Sequence, residues 1–134
     1  MIHRLIAMLG GLSLLAGCAS DPTVATNLVW DRETQARIIT SQGSPSRCIA
    51  PVRVFEVNGQ TTSVNDQFYL APGPALLKAA ARPNVTTCTL VTIPPNLSLP
   101  ALETTFEAGK TYWLGLDHSA ARARDWRFVV WREE

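Results

Sequence analysis

The sequence lacks an excess of charge of either sign. Its 134 residues carry 12 lysines and arginines against 11 aspartates and glutamates, which gives a formal net charge of +1 at pH 7. Proteins that bind nucleic acid concentrate positive charge, because most of their contacts are with phosphates. A balanced chain of this kind gives no reason to expect a nucleic-acid partner.

Histidine is almost absent, and no two cysteines form a Cys-x-x-Cys pair. The two histidines are His3 and His118, and His118 stands between Asp117 and Ser119. Neighbours in sequence do not make a catalytic triad, because nucleophile and base must meet head-on while a third group orients the base from behind. A metal site needs further ligands that this stretch does not offer. We therefore expect His118 to be a solvated loop residue, and we predict neither a metal nor a cofactor.

Other catalytic patterns are missing as well. Gly10-Gly11 lies in the apolar opening segment and the remaining glycines mark turns, so the chain has no glycine-rich phosphate loop. Glu103 and Glu107 have the same parity on one predicted strand, where solubilising charge on an exposed face is the simpler interpretation. Paired carboxylates that hydrolyse a substrate must face each other across about 5–10 Å. We predict that the protein is not an enzyme.

A long apolar run is also missing. The longest, over residues 5–15, has about eleven residues, whereas a helix that crosses a bilayer needs roughly 20. His3-Arg4 precedes the run and the small residues Ala16-Gly17 follow it. A positive start, an apolar centre and a small-residue end are typical of a secretory signal peptide, and we predict one over residues 1–17. Its removal would leave one domain-sized chain.

The stretch Leu15-Ala16-Gly17-Cys18 resembles the lipobox of bacterial lipoproteins. The resemblance implies that the Cys18 thiol receives a diacylglycerol, that the signal is cut before Cys18, and that the new amine is acylated, for example with palmitate. Two or three acyl chains hold a protein firmly to a membrane where one does not. In enteric lipoproteins an aspartate after the cysteine favours the inner membrane. Ala19 stands here, so the resemblance implies the outer membrane, on its periplasmic side. The alternative is an ordinary signal peptide with a chance cysteine.

Two cysteines remain for the mature domain. Cys48 and Cys88 form an even pair in a compartment that is oxidising, so we predict a disulfide between them. The closed loop has about 41 residues, and the chain-entropy model assigns such a loop on the order of 4 kcal/mol of stabilisation. The alternative is two free buried thiols.

Short β-rich runs separated by turn signals fill the rest of the chain. Asn58-Gly59 is a strong hairpin signal, because both central residues of a type I′ turn need positive φ. The β-rich runs cover residues 51–57, 60–64, 67–71, 84–93, 102–107, 110–116 and 126–131, with a further candidate at 35–40. This pattern is typical of an all-β domain, an antiparallel β-sandwich of the immunoglobulin-like or transthyretin-like kind with seven or eight short strands. A small barrel is the nearest alternative.

The domain boundaries follow from composition. Residues 18–34 are predicted to be the lipidated N-terminus and a tether, and residues 35–134 the β-sandwich domain. Trp30 is large for a free tether, which leaves open whether residues 28–40 pack on the domain.

The segment Ala75–Ala81 is ambiguous. Its residue types favour a helix, but Pro74 and Pro83 confine it to about two turns, too short to be stable alone. We predict a strand, partly because of a resemblance to known domains.

That resemblance is to small bacterial β-sandwich domains of the PEGA type and to related lipoproteins. In Val54–Gly59 and Phe68–Gly73 a strand ends at an Asn-Gly turn and a later strand ends at Pro-Gly. Phe106–Tyr112 is similar to the segment that opens a late strand in those lipoproteins. After Pro-Gly, however, this chain continues with Pro-Ala-Leu-Leu-Lys instead of a β-branched strand. The resemblance implies a module that binds or spaces other proteins or the cell wall, and it assigns no catalytic residue.

Strand parity divides the last two strands into two faces. One parity gives the better core set, which consists of Tyr112, Leu114, Leu116, Trp126, Phe128 and Val130. The opposite face carries Trp113, Arg127, Val129 and Trp131. Tryptophan beside arginine is the composition of a binding hot spot, and an exposed apolar patch needs a reason. We predict that these four residues bind a partner. The alternatives are that residues 28–40 cover this face, or that the parity is reversed and the tryptophans are core.

The expected function is that of a non-enzymatic accessory of an envelope or secretion assembly, anchored to the membrane by lipid and binding another envelope protein. The alternative is an inhibitor or immunity protein against a wall-degrading enzyme, with residues 117–125 as the inserted loop. The stretch Arg122–Arg127 suits contact with phosphates, sugar acids or carboxylates. Its other interpretation is a solvated loop paired locally with aspartate.

The first test concerns the membrane anchor at Cys18. If Cys18 is the lipidated N-terminus, the wild-type protein in the membrane fraction carries added acyl mass, and Cys18→Ser blocks both acylation and lipoprotein-type cleavage. Intact mass spectrometry measures both. A wild-type mass without acyl chains would contradict the lipoprotein assignment.

Overall fold

The computed structural model of the chain describes residues 24–25, 29–63, 66–83, 86–90, 92–94 and 97–134. The predicted signal peptide and Cys18 lie outside these residues. The described part contains strands and two short 3-10 helices, Pro45–Arg47 and Ala123–Asp125. No helix in it is long and apolar enough to cross a membrane.

The strands form two sheets. In chain order the strands are β1 (Val24–Ala25), β2 (Ala36–Ile39), β3 (Ile49–Ala50), β4 (Val52–Val57), β5 (Gln60–Thr61), β6 (Gln67–Leu70), β7 (Gly73–Ala81), β8 (Leu102–Phe106), β9 (Thr111–Asp117) and β10 (Arg127–Glu133). The first sheet has the order β1-β6-β2-β9-β10, with β3 also paired to β9, and the second has the order β5-β4-β7-β8. The predicted all-β sandwich is confirmed.

One pairing in the first sheet is parallel. β2 runs parallel to β9, with Ile38 beside Tyr112, whereas β3 runs antiparallel to β9, with Ala50 beside Leu116. Because β10 pairs along the other edge of β9, β2 and β3 share one edge. The sandwich is therefore not antiparallel throughout, and β9 is its most enclosed strand.

The second sheet confirms two sequence predictions. Asn58 and Gly59 have φ values of 50° and 83°, and Val57 pairs with Gln60 across them, as a two-residue hairpin requires. The ambiguous segment Ala75–Ala81 is the C-terminal part of β7, between β4 and β8. Pairing on both edges overrides the helical preference of its alanines and leucines, because propensity is weak compared with tertiary contacts.

The threonine-rich run is not a strand in its described residues. Residues 86–90 and 92–94 are irregular, and Leu90 has a φ of 59°. The Leu90 amide donates to the Thr87 carbonyl over 3.2 Å, which closes a turn. A β-branched composition favours a strand only where a partner strand is available, so the prediction of a strand around Cys88 is wrong.

The core lies between the sheets and confirms the predicted parity. Tyr112, Leu114, Leu116, Trp126 and Phe128 are all at most 4% exposed, and Val130 packs against them half-buried. Phe68, Leu77 and Phe106 complete the interior from the other strands.

Part of the predicted tether contacts the domain. Val24 pairs with Leu70 and Ala25 with Tyr69 through β1. Trp30 is half-buried, and its indole Nε1 donates to the Gln35 carbonyl over 2.9 Å. Of the described residues before β2, β1 therefore lies at the edge of the first sheet and Trp30 lies on its solvent side beside Arg37.

The predicted disulfide is confirmed. Cys48 and Cys88 are bonded, with their Cα atoms 5.7 Å apart and a sequence separation of 40. Cys48 ends the 3-10 helix Pro45–Arg47, and Cys88 lies in the irregular segment 86–90. The bond thus ties a segment with no strand pairing of its own to the edge of the first sheet.

The second test removes this bond. The pair of changes Cys48→Ala and Cys88→Ala should lower the free energy of unfolding by a few kcal/mol, up to about 4, because the unfolded chain regains the entropy of the open loop. Urea unfolding measures the change. Leu90→Ala truncates an 86% exposed side chain of the same segment and is the control, with little effect expected. Two reactive thiols in denatured, unreduced wild type would contradict the bond.

Candidate functional site

The first candidate site is the solvent side of the first sheet, which we call the outer face. Alternation along β9 and β10 places residues there that are opposite to the core set, and β2 and β3 add their own outward residues. The outer face comprises Arg37, Ile39, Ile49, Trp113, Gly115, Val129, Trp131 and Arg132, with Trp30 at its margin. Three of the four predicted partner-binding residues, Trp113, Val129 and Trp131, belong to the outer face, and Arg127 lies on the same side at the start of β10. Their exposures differ.

Trp113 is buried on the outer face. It is only 7% exposed, because Ile39 pairs beside it and the Arg132 guanidinium lies 4.4 Å from its ring centroid. Its indole Nε1 donates to Gln42 Oε1 over 3.1 Å. The expectation of an exposed Trp113 is therefore wrong. Trp113 is thus covered by Ile39 on β2 and Arg132 on β10, its neighbours in the sheet. The alternative that residues 28–40 fold over this face does not account for its burial, because β2 lies in the sheet beside β9 and Ile38 belongs to the core.

Trp131 sits in a bulge of β10. Val130 pairs with Leu114 and Arg132 pairs with Trp113, so Trp131 is the extra residue between them. It is half-buried, and its Cδ1 lies so close to Gly115 that a Cβ there would be 3.0 Å away. Its indole Nε1 has no hydrogen-bond partner among the described residues. Trp131 thus packs on the backbone of Gly115 and lacks the indole hydrogen bond that Trp113 makes to Gln42.

The bulge also changes the side on which Arg132 lies. Unbroken alternation from Trp126 would direct Arg132 toward the core, whereas the extra residue returns it to the outer face beside Trp113. Arg132 is consequently a site residue that strand parity could not identify.

The two other predicted residues of this hairpin differ in exposure. Arg127 is exposed and pairs with Asp117 at the other end of the hairpin, and Val129 is half-buried beside Gly115.

Each tryptophan on or beside the outer face has an arginine against its ring. Trp30 contacts two of them, Arg32 at 4.7 Å and Arg37 at 4.6 Å from the ring centroid. Arg47 lies 5.8 Å from the Trp131 ring and donates through Nη1 to the Trp131 carbonyl over 3.0 Å. Such cation–π contacts contribute about 0.5–1 kcal/mol each at exposed sites. Only the size of Trp30 hinted at this arrangement in the sequence, because the arginines come from separate segments.

The second candidate site is a pocket of about 560 Å³ beside the disulfide. Its lining is mostly apolar and consists of Gly43, Pro45, Ile49, Ala50, Pro51, Thr86, Thr87, Cys88 and His118. β3 forms one wall and the irregular segment around Cys88 another. The pocket therefore lies between β3 and the segment that the disulfide ties to the edge of the first sheet.

His118 is buried in this pocket wall, at 2% exposure. Its Nδ1 accepts a hydrogen bond from the Cys88 amide over 3.2 Å, and its own amide donates to the Cys48 carbonyl over 2.9 Å. The ring also meets Trp126 edge-on, with centroids 6.2 Å apart. The expectation of a solvated His118 is wrong, because the pairing of β3 with the end of β9 brings the disulfide against it.

The carboxylate of the neighbouring Asp117 is hydrogen-bonded to Ser119. Asp117 Oδ1 accepts hydrogen bonds from the Ser119 hydroxyl over 2.7 Å and from the Ser119 amide over 3.0 Å. These two bonds stabilise the ionised form and lower the pKa of the Asp117 carboxyl. Asp117, His118 and Ser119 thus form a local turn in which the aspartate orients the serine.

Comparison of the chain with protein-family models, with curated proteins and with solved structures finds no match. The assignment of a function therefore depends on the geometry of these two sites.

The third test concerns the seat of Trp131. A Cβ on Gly115 would lie 2.5 Å from Ile49 Cγ2, 2.9 Å from the Ala50 oxygen and 3.0 Å from Trp131 Cδ1. Gly115→Ala should therefore lower the free energy of unfolding by about 1–3 kcal/mol, as overpacking does. Urea unfolding measures the loss, and Thr105→Ala, at an exposed strand position, is the control. A Gly115→Ala protein as stable as the wild type would contradict the close contact.

Proposed function

We propose that this protein is an outer-membrane lipoprotein, anchored through Cys18, whose β-sandwich binds another envelope protein on the periplasmic side as a non-enzymatic accessory module. The outer face of the first sheet is the binding surface. The observation that carries the proposal is that arginines lie against all the tryptophan rings of this face.

The composition of the outer face supports protein binding. A sheet face turned to solvent is ordinarily polar, whereas this one presents Trp131 and Val129 half-exposed beside the buried Trp113. Tryptophan and arginine are the residues most enriched among those that dominate binding energy. Burying an aromatic ring that already has a fixed position costs little conformational entropy. The outer face therefore has both a suitable composition and partial preorganisation.

The arginines indicate the chemistry of the partner. A guanidinium stacked on an indole keeps its N–H donors at the ring edge, where a carboxylate can bind in a planar, bidentate manner. The Arg132 guanidinium already pairs there with the exposed Glu134 carboxylate, which a carboxylate of the partner would replace. Arg32 and Arg132 are both exposed at this face. The partner that fits is a protein surface with an apolar centre ringed by aspartate or glutamate.

The position of β1 supports a partner close to the membrane. Val24 pairs at the edge of the first sheet, only six residues after Cys18. An extended chain of that length reaches roughly 20 Å, so a lipid on Cys18 would hold this sheet edge near the bilayer.

The fourth test uses a photo-crosslinking amino acid in intact cells. Placed at Val129, on the outer face, it should crosslink to one envelope protein, because that side chain borders Trp131 and Gly115. Placed at Leu76, 40% exposed on the second sheet, it should not. Analysis of the crosslinked bands by mass spectrometry identifies the partner.

Charge reversal then tests the role of the arginines. Arg32→Glu with Arg132→Glu should abolish the crosslink from Val129, because the two introduced carboxylates would repel an acidic rim. Arg122→Glu with Arg124→Glu makes the same change of charge in the exposed loop before β10 and should leave the crosslink intact. Equal crosslinking from Val129 and Leu76, or equal effects of the two double variants, would contradict the proposal.

A second function, inhibition of a wall-degrading enzyme, is favoured by the loop between β9 and β10. Residues 121–125 are exposed, while His118 and Trp126 on either side are each 2% exposed. The Trp126 indole also donates to the Ala120 carbonyl over 2.9 Å, so the loop projects from a fixed base. Inhibition of a purified muramidase, lost in Arg122→Glu with Arg124→Glu, would select this function instead.

A further inference from the structure

The disulfide and His118 form a cluster of three side chains with metal-ligand chemistry. Sγ of Cys48, Sγ of Cys88 and a ring nitrogen of His118 all lie within 4.8 Å of one another. Pairing of Ile49 with Asp117 places Cys48 beside His118, and the disulfide adds Cys88. The sequence did not reveal this cluster, because its members come from three distant segments.

We propose that reduction of the Cys48–Cys88 disulfide creates a binding site for one thiophilic d10 cation, Zn²⁺ or Cu⁺, ligated by both thiolates and His118 Nδ1. Thiolate and imidazole ligands select these ions over harder ones. Tetrahedral bonds of about 2.3 Å to sulfur and 2.0–2.1 Å to nitrogen place such ligand atoms roughly 3.5–3.7 Å apart. The three ligand atoms lie within 4.8 Å of one another, so after reduction the two sulfurs must move apart and the imidazole nitrogen must come closer by roughly 1 Å at most.

His118 is held in place as a ligand. The His118 backbone amide donates a hydrogen bond to the Cys48 carbonyl, and the ring contacts Trp126 edge-on, so the residue is fixed in position. Its Nδ1 atom already lies 3.2 Å from the Cys88 amide nitrogen. On metal binding, the Nδ1 lone pair passes from the amide hydrogen to the ion. The released Cys88 N–H then donates to a thiolate sulfur, so no buried donor is left unpaired.

The site is open on one side. Cys88 is exposed and Cys48 is half-buried, which gives a reductant access to the bond. The pocket of about 560 Å³ borders both Cys88 and His118. Three protein ligands with an open fourth position are typical of sites that exchange ligands, whereas structural zinc sites are closed by four protein ligands. The arrangement therefore suits reversible loading of the ion.

The chemistry balances with a dithiol as reductant. One thiolate of the donor attacks a sulfur of the Cys48–Cys88 bond to form a mixed disulfide, and the second donor thiol releases it. Two electrons pass to the protein and the donor leaves as its own disulfide. Binding of the ion then displaces the two thiol protons to solvent.

The fifth test loads the full chain with metal. The protein is reduced anaerobically with a phosphine, freed of reductant and titrated with Co²⁺ as a spectroscopic substitute for Zn²⁺. One equivalent should give thiolate-to-cobalt charge transfer and the d–d bands of a tetrahedral site, and Zn²⁺ should displace it. Competition with a Cu⁺ chelator measures Cu⁺ affinity and distinguishes the two ions. The oxidised chain and Cys48→Ser with Cys88→Ser are the controls and should give neither signal.

The role of His118 is tested by His118→Gln, whose side-chain oxygen can still accept from the Cys88 amide. Its affinity should fall at least about tenfold, as loss of groups in metal sites does, and circular dichroism checks the fold. If this variant is unfolded, nitrogen NMR of the wild-type imidazole tests the ligand role of His118 instead, since Zn²⁺ binding should change the chemical shift of Nδ1. Reduced wild type that binds no more Co²⁺ than the cysteine-free control, an unchanged affinity of folded His118→Gln, or an unshifted Nδ1 would overturn the proposal.

Discussion

Enclosure of β9 is the constraint on which both candidate sites depend. Its residues Thr111–Leu116 are all buried, because core residues cover one side, outer-face residues cover the other, and strands pair along both edges. A strand enclosed in this way cannot slip without exposing apolar side chains. Its fixed register places Trp113 and Gly115 under the outer face and delivers His118, just beyond its end, to the disulfide.

The outer face illustrates how a small residue creates a site for a large one. Gly115 leaves a gap in the middle of β9 that Ile49 fills from one side and Trp131 from the other. The bulge in β10 supplies the extra residue that brings Trp131 over this gap and returns Arg132 to Trp113. Bulges are common where a side chain has to be redirected. The tryptophans are thus partly covered by their own arginines, which explains how the domain can carry an apolar outer face.

Features that depend on local sequence could be predicted, and features that depend on distant pairing could not. Asn58-Gly59 predicted one hairpin, alternation sorted β9 and β10 into core and outer residues, and an even cysteine pair after a predicted signal peptide indicated the disulfide. The bulge at Trp131 has no local signal, and neither does the burial of His118, since that follows from the pairing of Ile49 with Asp117. The irregular course around Cys88 contradicts its β-branched composition, because none of the strands in the described part of the chain pairs with residues 86–90.

One segment borders both sites and limits how they can be separated by mutation. Arg47 contacts Trp131 on the outer face, Cys48 carries the disulfide, and Ile49 fills the gap at Gly115 while also lining the pocket. A change at Ile49 therefore acts on both sites, whereas a change at Arg47 acts on the outer face and a change at Cys48 acts on the disulfide. Arg132 and His118 each belong to one site only. Arg132 contacts Trp113 in the middle of β9 and His118 follows the end of that strand, so roughly five residues of extended strand separate the two positions, more than a Debye length at physiological salt. Effects of substitutions at these two positions should consequently be additive, as expected for sites that share no partner.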